Sequence, residues 1–185
     1  MHPYRKMPDH CFWLKTIRKK NIIFNTPFTI KSSDRIMTAG SCFSRRIGER
    51  IKNLFVTEDL HPSLIKHPLL SFNLPESEIN NLKQKYQYGI FTARYDNIYT
   101  ARQLVQLFQR AYSILNPEEN VWMREDNRYV DAFRPNVVPE GYSSIMEVMY
   151  ASDYHLKCVR EAFENLDVLI FTLGLSEAWV SKKDG

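Results

Sequence analysis

The sequence predicts an α/β domain with parallel strands, and three observations lead there. Arg35-Ile-Met-Thr-Ala-Gly40 is a short apolar segment that ends in glycine, as a strand running into a turn does. Val168-Leu-Ile-Phe-Thr-Leu173, bounded by Asp167 and Gly174, is an unbroken apolar run, which reads as a strand buried on both faces. Helical stretches lie between the two, and strands alternating with helices point to a parallel sheet. In such sheets ligands bind outside the carboxyl ends of the strands. That directs attention to Gly40-Ser41-Cys42-Phe43-Ser44 and to Gly174-Leu175-Ser176-Glu177-Ala178-Trp179.

The elements follow in order. After the first strand, Ile47, Ile51, Leu54 and Phe55 recur at helical spacing, so a helix is expected over Ser44–Phe55. Thr57–Pro75 holds prolines at 62, 68 and 75 and reads as a long surface loop. A short helix is expected over Glu76–Lys85, then a short strand or extended loop at Tyr88–Thr92. Thr100 with Gln103 three residues on makes a capping box. Behind it Leu104, Leu107, Phe108, Ala111, Tyr112 and Leu115 form one apolar stripe, ended by Asn116-Pro117. Residues 117–142 read as irregular, with a small hairpin near Trp122–Tyr129. Ser144 and Glu147 form a second capping box, and a long helix follows to Asn165.

Composition bounds the rest. At 185 residues the chain is one domain's worth, and 44% hydrophobic with 25% charged residues excludes a disordered or fibrous chain. No apolar run approaches the roughly 18–20 residues that cross a bilayer. The first residues lack the apolar core of a secretory signal. Cys11, Cys42 and Cys158 are too few and too odd in number for a disulfide framework, so a reducing, cytoplasmic setting is expected. No metal-ligand spacing appears, and no cofactor is expected. Residues 1–31 carry seven Lys/Arg against Asp9, leaving 18 basic and 20 acidic side chains in the remainder. This basic arm, residues 1–31, precedes a near-neutral domain over 32–185. No stacking platform or RNA-binding motif follows the arm, so it is read as a segment wrapping its own domain and no nucleic-acid partner is expected. The chain stops at Gly185, one step after its most hydrophobic strand. Two or three strands make an incomplete doubly wound sheet, so the sequence is expected to be a fragment.

Ser41 follows a glycine between strand and helix, a position suited to nucleophilic attack. Donors of the helix start would then face a developing oxyanion. The hydroxyl needs a general base, normally a histidine held by a carboxylate. The other reading of Ser41 is a plain helix cap. Cys42 is the rival nucleophile, or an inert buried thiol. A phosphatase loop would need arginine where Gly48 stands, and a P-loop needs a Gly-Lys-Ser/Thr that is missing. Asp131 and Arg134 form a structural ion pair, or Arg134 faces an acidic substrate. Trp179 is a sugar-stacking platform or core. His155 reads as a packed or surface residue of the long helix.

Gly40-Ser-Cys-Phe-Ser44 resembles the signature of the GSCFA domain family, with Ser44 where the family name has alanine. The likeness continues through Tyr88-Gly-Ile-Phe-Thr-Ala-Arg-Tyr95, Asn97-Ile-Tyr-Thr-Ala-Arg-Gln-Leu104, Asp131-Ala-Phe-Arg-Pro135 and Phe171-Thr-Leu-Gly-Leu-Ser-Glu-Ala-Trp179, over roughly 35–185. The family is similar to the SGNH, or GDSL-like, hydrolases. That resemblance implies a three-layer α/β/α flavodoxin-like fold with a parallel sheet, incomplete here. It implies a serine acyl-ester hydrolase or acyltransferase, acting on an acylated glycan or small ester. Ser41 would be the nucleophile. Ser41, Asp96, Asn97 and Ser176 would surround the oxyanion, with Asp96 standing where relatives are expected to have glycine. Arg134, Glu177 and Trp179 would contact substrate. The superfamily's closing Asp-x-x-His, which supplies the base, is expected beyond residue 185. Asp59-Leu-His61 has a spacing one short of it. The alternative is a non-catalytic glycan-binding module on the same fold.

Overall fold

A computed structural model describes residues 28–51, 54–60, 75–175, 177, 180 and 183. The chain divides into two units, Met1–Ser32 and Ser33–Gly185, and every element below belongs to the second. Their order is β1 (Ile36–Gly40), α1 (Cys42–Gly48), α2 (Glu76–Lys85), α3 (Ala101–Ala111), β2 (Val121–Met123), β3 (Tyr129–Asp131), α4 (Ile145–Asn165) and β4 (Val168–Thr172). Most of the basic arm, with His2, His10 and Cys11, lies outside the described residues, as do His61 and His67.

The fold is mixed α/β. β1 and β4 pair in parallel, in a register that sets Ile36 beside Val168 and Gly40 beside Thr172. Leu54 makes a parallel bridge to Ile36 as well, so β1 is flanked on both edges at its start. β2 and β3 form the expected hairpin, antiparallel, with Val121 opposite Asp131.

β1 is the most deeply buried strand because both of its faces are used. Met37 and Ala39 are fully buried in a core shared with Phe91, Leu107, Val159 and Ala162. Burying a side chain such as Met37, Phe91, Leu107 or Val159 stabilises the fold by about 1.5–3 kcal/mol. Thr38 alternates to the opposite face. There α1 approaches closely through Gly48, where a Cβ would stand 3.0 Å from the Ile90 carbonyl and 3.4 Å from Thr38 Oγ1.

The helix caps act largely as the residues predict. Thr100 Oγ1 accepts from the Gln103 amide at 3.2 Å, and Gln103 Oε1 accepts from the Thr100 amide at 3.0 Å. In α4, Ser144 Oγ accepts from the Glu147 amide, while the Glu147 carboxylate turns to the Ser143 amide and hydroxyl.

Four expectations change. The helix expected over Ser44–Phe55 is α1, which starts two residues earlier and ends at Gly48. Leu54 is drawn into the bridge with β1 and Phe55 packs on the core, so their helical spacing is a coincidence of two extended residues. α3 stops at Ala111, short of Asn116, because Ser113 takes a positive φ of 56°. β4 is only part-buried, with Leu169 38% exposed, since β1 is its one paired strand among the described residues. Within the loop read as exposed, Glu58 is buried. Residues 61–74 of that loop lie outside the described ones.

Residues 88–95 adopt no strand, yet all but Gly89 are buried. Buried irregular backbone needs partners for its amides and carbonyls. Thr92 supplies several: its Oγ1 accepts from the Thr38 amide at 3.2 Å, and its carbonyl accepts from the Thr57 amide at 2.8 Å.

Gly40 has a φ of 137°, and a Cβ there would lie 2.2 Å from Thr172 Oγ1 and under 3 Å from the Thr172 backbone. Gly89 has a φ of 71° with open space around it. Gly40→Ala is therefore expected to cost about 2–5 kcal/mol, from backbone strain plus overpacking. Gly89→Ala should cost only the strain, about 1–2 kcal/mol. Urea unfolding of both variants checks this, and equal losses would contradict it.

Candidate functional site

Three segments far apart in sequence meet at the carboxyl ends of β1 and β4. The first is the turn after β1, where Ser41 is half-buried and caps α1 by accepting from the Phe43 amide at 3.4 Å. The second is the stretch from 96 to 99, anchored by the Ile98 amide donating to the Gly40 carbonyl at 2.8 Å. The third follows β4: the Gly174 and Leu175 amides both donate to the Tyr99 carbonyl, at 3.1 and 3.0 Å. Gly174 then lies against the serine, and a Cβ on it would come within 3.2 Å of Ser41 Cβ and 3.6 Å of its Oγ. Thr172 completes the arrangement. Its Oγ1 accepts from the Ser41 amide at 3.1 Å and stands 3.4 Å from Ser41 Oγ.

Asp96 has a positive φ of 60°, a left-handed conformation that favours glycine and that aspartate also adopts. Its carboxylate supports the turn: Oδ1 accepts from the Asn97 amide at 2.8 Å and Oδ2 from Asn136 Nδ2 at 3.0 Å. The Asn97 amide expected at the oxyanion is thus bonded to Asp96, and the Ser41 amide to Thr172.

A GSCFA family profile matches residues 35–185, most of the chain and all three converging segments. The chain belongs to the GSCFA family. No curated protein and no solved structure matches it.

The other residues singled out in this GSCFA domain separate into distinct places. Arg134 is a correction as a substrate contact: only 2% exposed, it donates from Nε to Asp131 at 2.8 Å and from Nη2 to the Ala151 carbonyl at 2.7 Å. The structural ion pair is the observed one. Cys42 is corrected as well, since its thiol is exposed and not buried. Glu177 is exposed. Ser176 and Trp179 lie outside the described residues. Among the described residues no group of His, Cys, Asp and Glu could hold a metal ion. None of the helices among them is long and apolar enough to cross a membrane.

Thr172 and Tyr99 escaped the sequence reading. The available signal was a hydroxyl residue inside an otherwise apolar strand, two residues before Gly174. Glu58 had no signal at all, yet it is the hub of a buried charge network. Its carboxylate accepts from His155 Nδ1 at 2.6 Å, the Arg94 amide at 2.8 Å and Arg134 Nη1 at 3.4 Å. Arg94 in turn donates to the Tyr86 and Val137 carbonyls and to the Tyr88 hydroxyl. The network pins the irregular stretch before Asp96 to the end of β3 and to α4.

Burial raises the Glu58 pKa, but His155, Arg134 and Arg94 outweigh it and bring it down to about 2. Burial and the Arg134 charge push His155 below its usual 6.5 despite Glu58. The imidazole is therefore held towards its neutral form, donating from Nδ1, and the arginines balance the carboxylate.

Both depressed pKa values act in one direction. In acid the unfolded chain takes up protons first, so their stabilisation is complete at neutral pH and lost as pH falls. The loss begins near 6.5 for His155 and near 4.5 for Glu58, continuing to about 2 for the carboxyl. Glu58→Gln is expected to cost about 3–5 kcal/mol, because it removes the carboxylate that faces buried Arg94 and leaves Arg134 with Asp131 alone. It should also flatten the decline below pH 4.5. Urea midpoints measured across pH check both, and an unchanged midpoint for Glu58→Gln would contradict them.

Proposed function

We propose that this GSCFA domain carries the nucleophile of an SGNH-type acyl-ester hydrolase or acyltransferase, acting on an acylated glycan or small ester. The observation that carries the reading is the convergence of the 40–44, 96–99 and 172–175 segments on one half-buried hydroxyl at the strand ends. Both faces of β1 are covered, which suits the three-layer α/β/α flavodoxin-like scaffold of that superfamily. A cytoplasmic setting belongs to the same proposal.

In this reaction Ser41 Oγ attacks the ester carbonyl and its proton passes to a base. The alcohol leaves, and water or an acceptor hydroxyl then takes the acyl group from the serine. His155 is not that base, because it is buried and bonded to Glu58. We assign the base to the superfamily's Asp-x-x-His. A serine without its base retains only the rate that donors and binding supply, orders of magnitude below a complete triad.

One observation favours the second reading, a glycan-binding module without turnover. Two amides expected at the oxyanion, those of Ser41 and Asn97, are engaged with Thr172 and Asp96. Under that reading Glu177 and Trp179 hold the sugar.

Hydrolysis of a short-chain aryl acetate by a form of the protein that carries the Asp-x-x-His separates the readings. Ser41→Ala is expected to lower the rate by about 100-fold or more, while Cys42→Ala leaves it within about threefold. Equal rates for Ser41→Ala and wild type would remove Ser41 from the mechanism. Loss with Cys42→Ala alone would move the nucleophile to the exposed thiol. Binding of an acetylated oligosaccharide with no acetate released would favour the module.

A further inference from the structure

We infer that Thr172 is the positioning residue of the Ser41 site, its hydroxyl holding both the backbone and the side chain of the nucleophile. The inference rests on the acyl-transfer reading of Ser41.

Thr172 is the last residue of β4 and the register partner of Gly40. Its Oγ1 occupies the space that a side chain on Gly40 would fill, 2.2 Å from the ideal Cβ position. A β-branched residue has few χ1 choices, so an oxygen seated in that niche stays there. From the niche it accepts from the Ser41 amide at 3.1 Å and lies 3.4 Å from Ser41 Oγ. One oxygen thereby restrains the peptide orientation and the rotamer of the same residue. Gly174 adds a restraint by packing against Ser41 Cβ. Fixing a nucleophile this way matters because a misplacement of about 1 Å can cost about 100-fold in rate. The arrangement also turns the Ser41 N–H towards Thr172, so stabilisation of an oxyanion falls to other donors around the site.

Thr172→Val keeps the branched shape and removes the oxygen, while Thr172→Ser keeps the oxygen. With a short-chain aryl acetate and the form that carries the Asp-x-x-His, Thr172→Val is expected to lower kcat by about 10- to 100-fold with KM within about twofold. Thr172→Ser should stay within about threefold of wild type. Amide hydrogen exchange at Ser41, read by NMR, should quicken about fivefold or more in Thr172→Val and return in Thr172→Ser. A purely structural role for the side chain would lower the melting temperature without this rescue pattern. Where valine prevents folding, Thr172→Ala carries the same comparison.

If Ser41→Ala abolishes hydrolysis while Thr172→Val matches wild type in kcat and exchange, this inference fails and the acyl-transfer reading stands. If Ser41→Ala is as active as wild type, the acyl-transfer reading fails. The exchange measurement then decides the Thr172 hold alone: unchanged exchange overturns it, and faster exchange rescued by serine supports it.

Discussion

The pairing of β1 with β4, and above all the contact between Gly40 and Thr172 at its end, is the constraint on which the site depends. Gly40 has no side chain, so the two strand ends approach until the threonine hydroxyl fills the vacated space. That approach brings the Ser41 amide to Thr172 and sets Gly174 against Ser41 Cβ. With a side chain at Gly40 the strand ends would have to part, while one at Gly174 would press on Ser41 Cβ at 3.2 Å. The local chemistry is thus a consequence of register: a slip of one position would place Leu173 or Phe171 beside Gly40 and remove the hydroxyl from the turn.

A second constraint holds the middle segment in place. Residues 88–95 cross the interior without joining a sheet, which leaves their polar backbone to be satisfied by side chains. Thr92 does this towards β1 and the 57–58 stretch, and Glu58 does it towards Arg94. The Tyr95 hydroxyl donates to the Thr38 carbonyl, tying the same stretch to the strand that leads to Ser41. Buried ion pairs are a poor source of net stability, because desolvation offsets much of their attraction. Here they fix a conformation that no regular ladder would fix. The run ends at Asp96, whose carboxylate supports its own left-handed turn, and the chain then passes under the Gly40 carbonyl to Tyr99.

Much of this was legible in the residues. The capping box at Thr100, the hairpin after Val121 and the long helix behind Ser144 follow from local rules that the structure respects. The two glycine-ended segments were also legible as neighbours, and the parallel pairing of β1 with β4 brings their ends together. What could not be read depends on contacts distant in sequence. Leu54 and Phe55 have helical spacing, but a bridge to Ile36 and packing on the core claim them instead. Glu58 sits in a polar, proline-rich stretch that gives no hint of burial, because its partners are 36 and 97 positions away. Arg134 and Asp131 are three apart and offered two roles, and only the surroundings decide that both are interior. Thr172 was visible as a residue and invisible as a contact, since its meaning comes from the register with Gly40.

The chemistry proposed for the domain needs a serine oxygen that is both oriented and reachable. Orientation comes from Thr172 and the cap to Phe43, and reach from the half-buried position of Ser41 at the strand ends. The most direct measurement is covalent labelling of a form that carries the Asp-x-x-His with a fluorophosphonate probe, with the modified peptide located by mass spectrometry. The account predicts the label on Ser41, slowed when an ester substrate is present in excess during labelling. A chain that takes no label, or takes it at another residue, would contradict it.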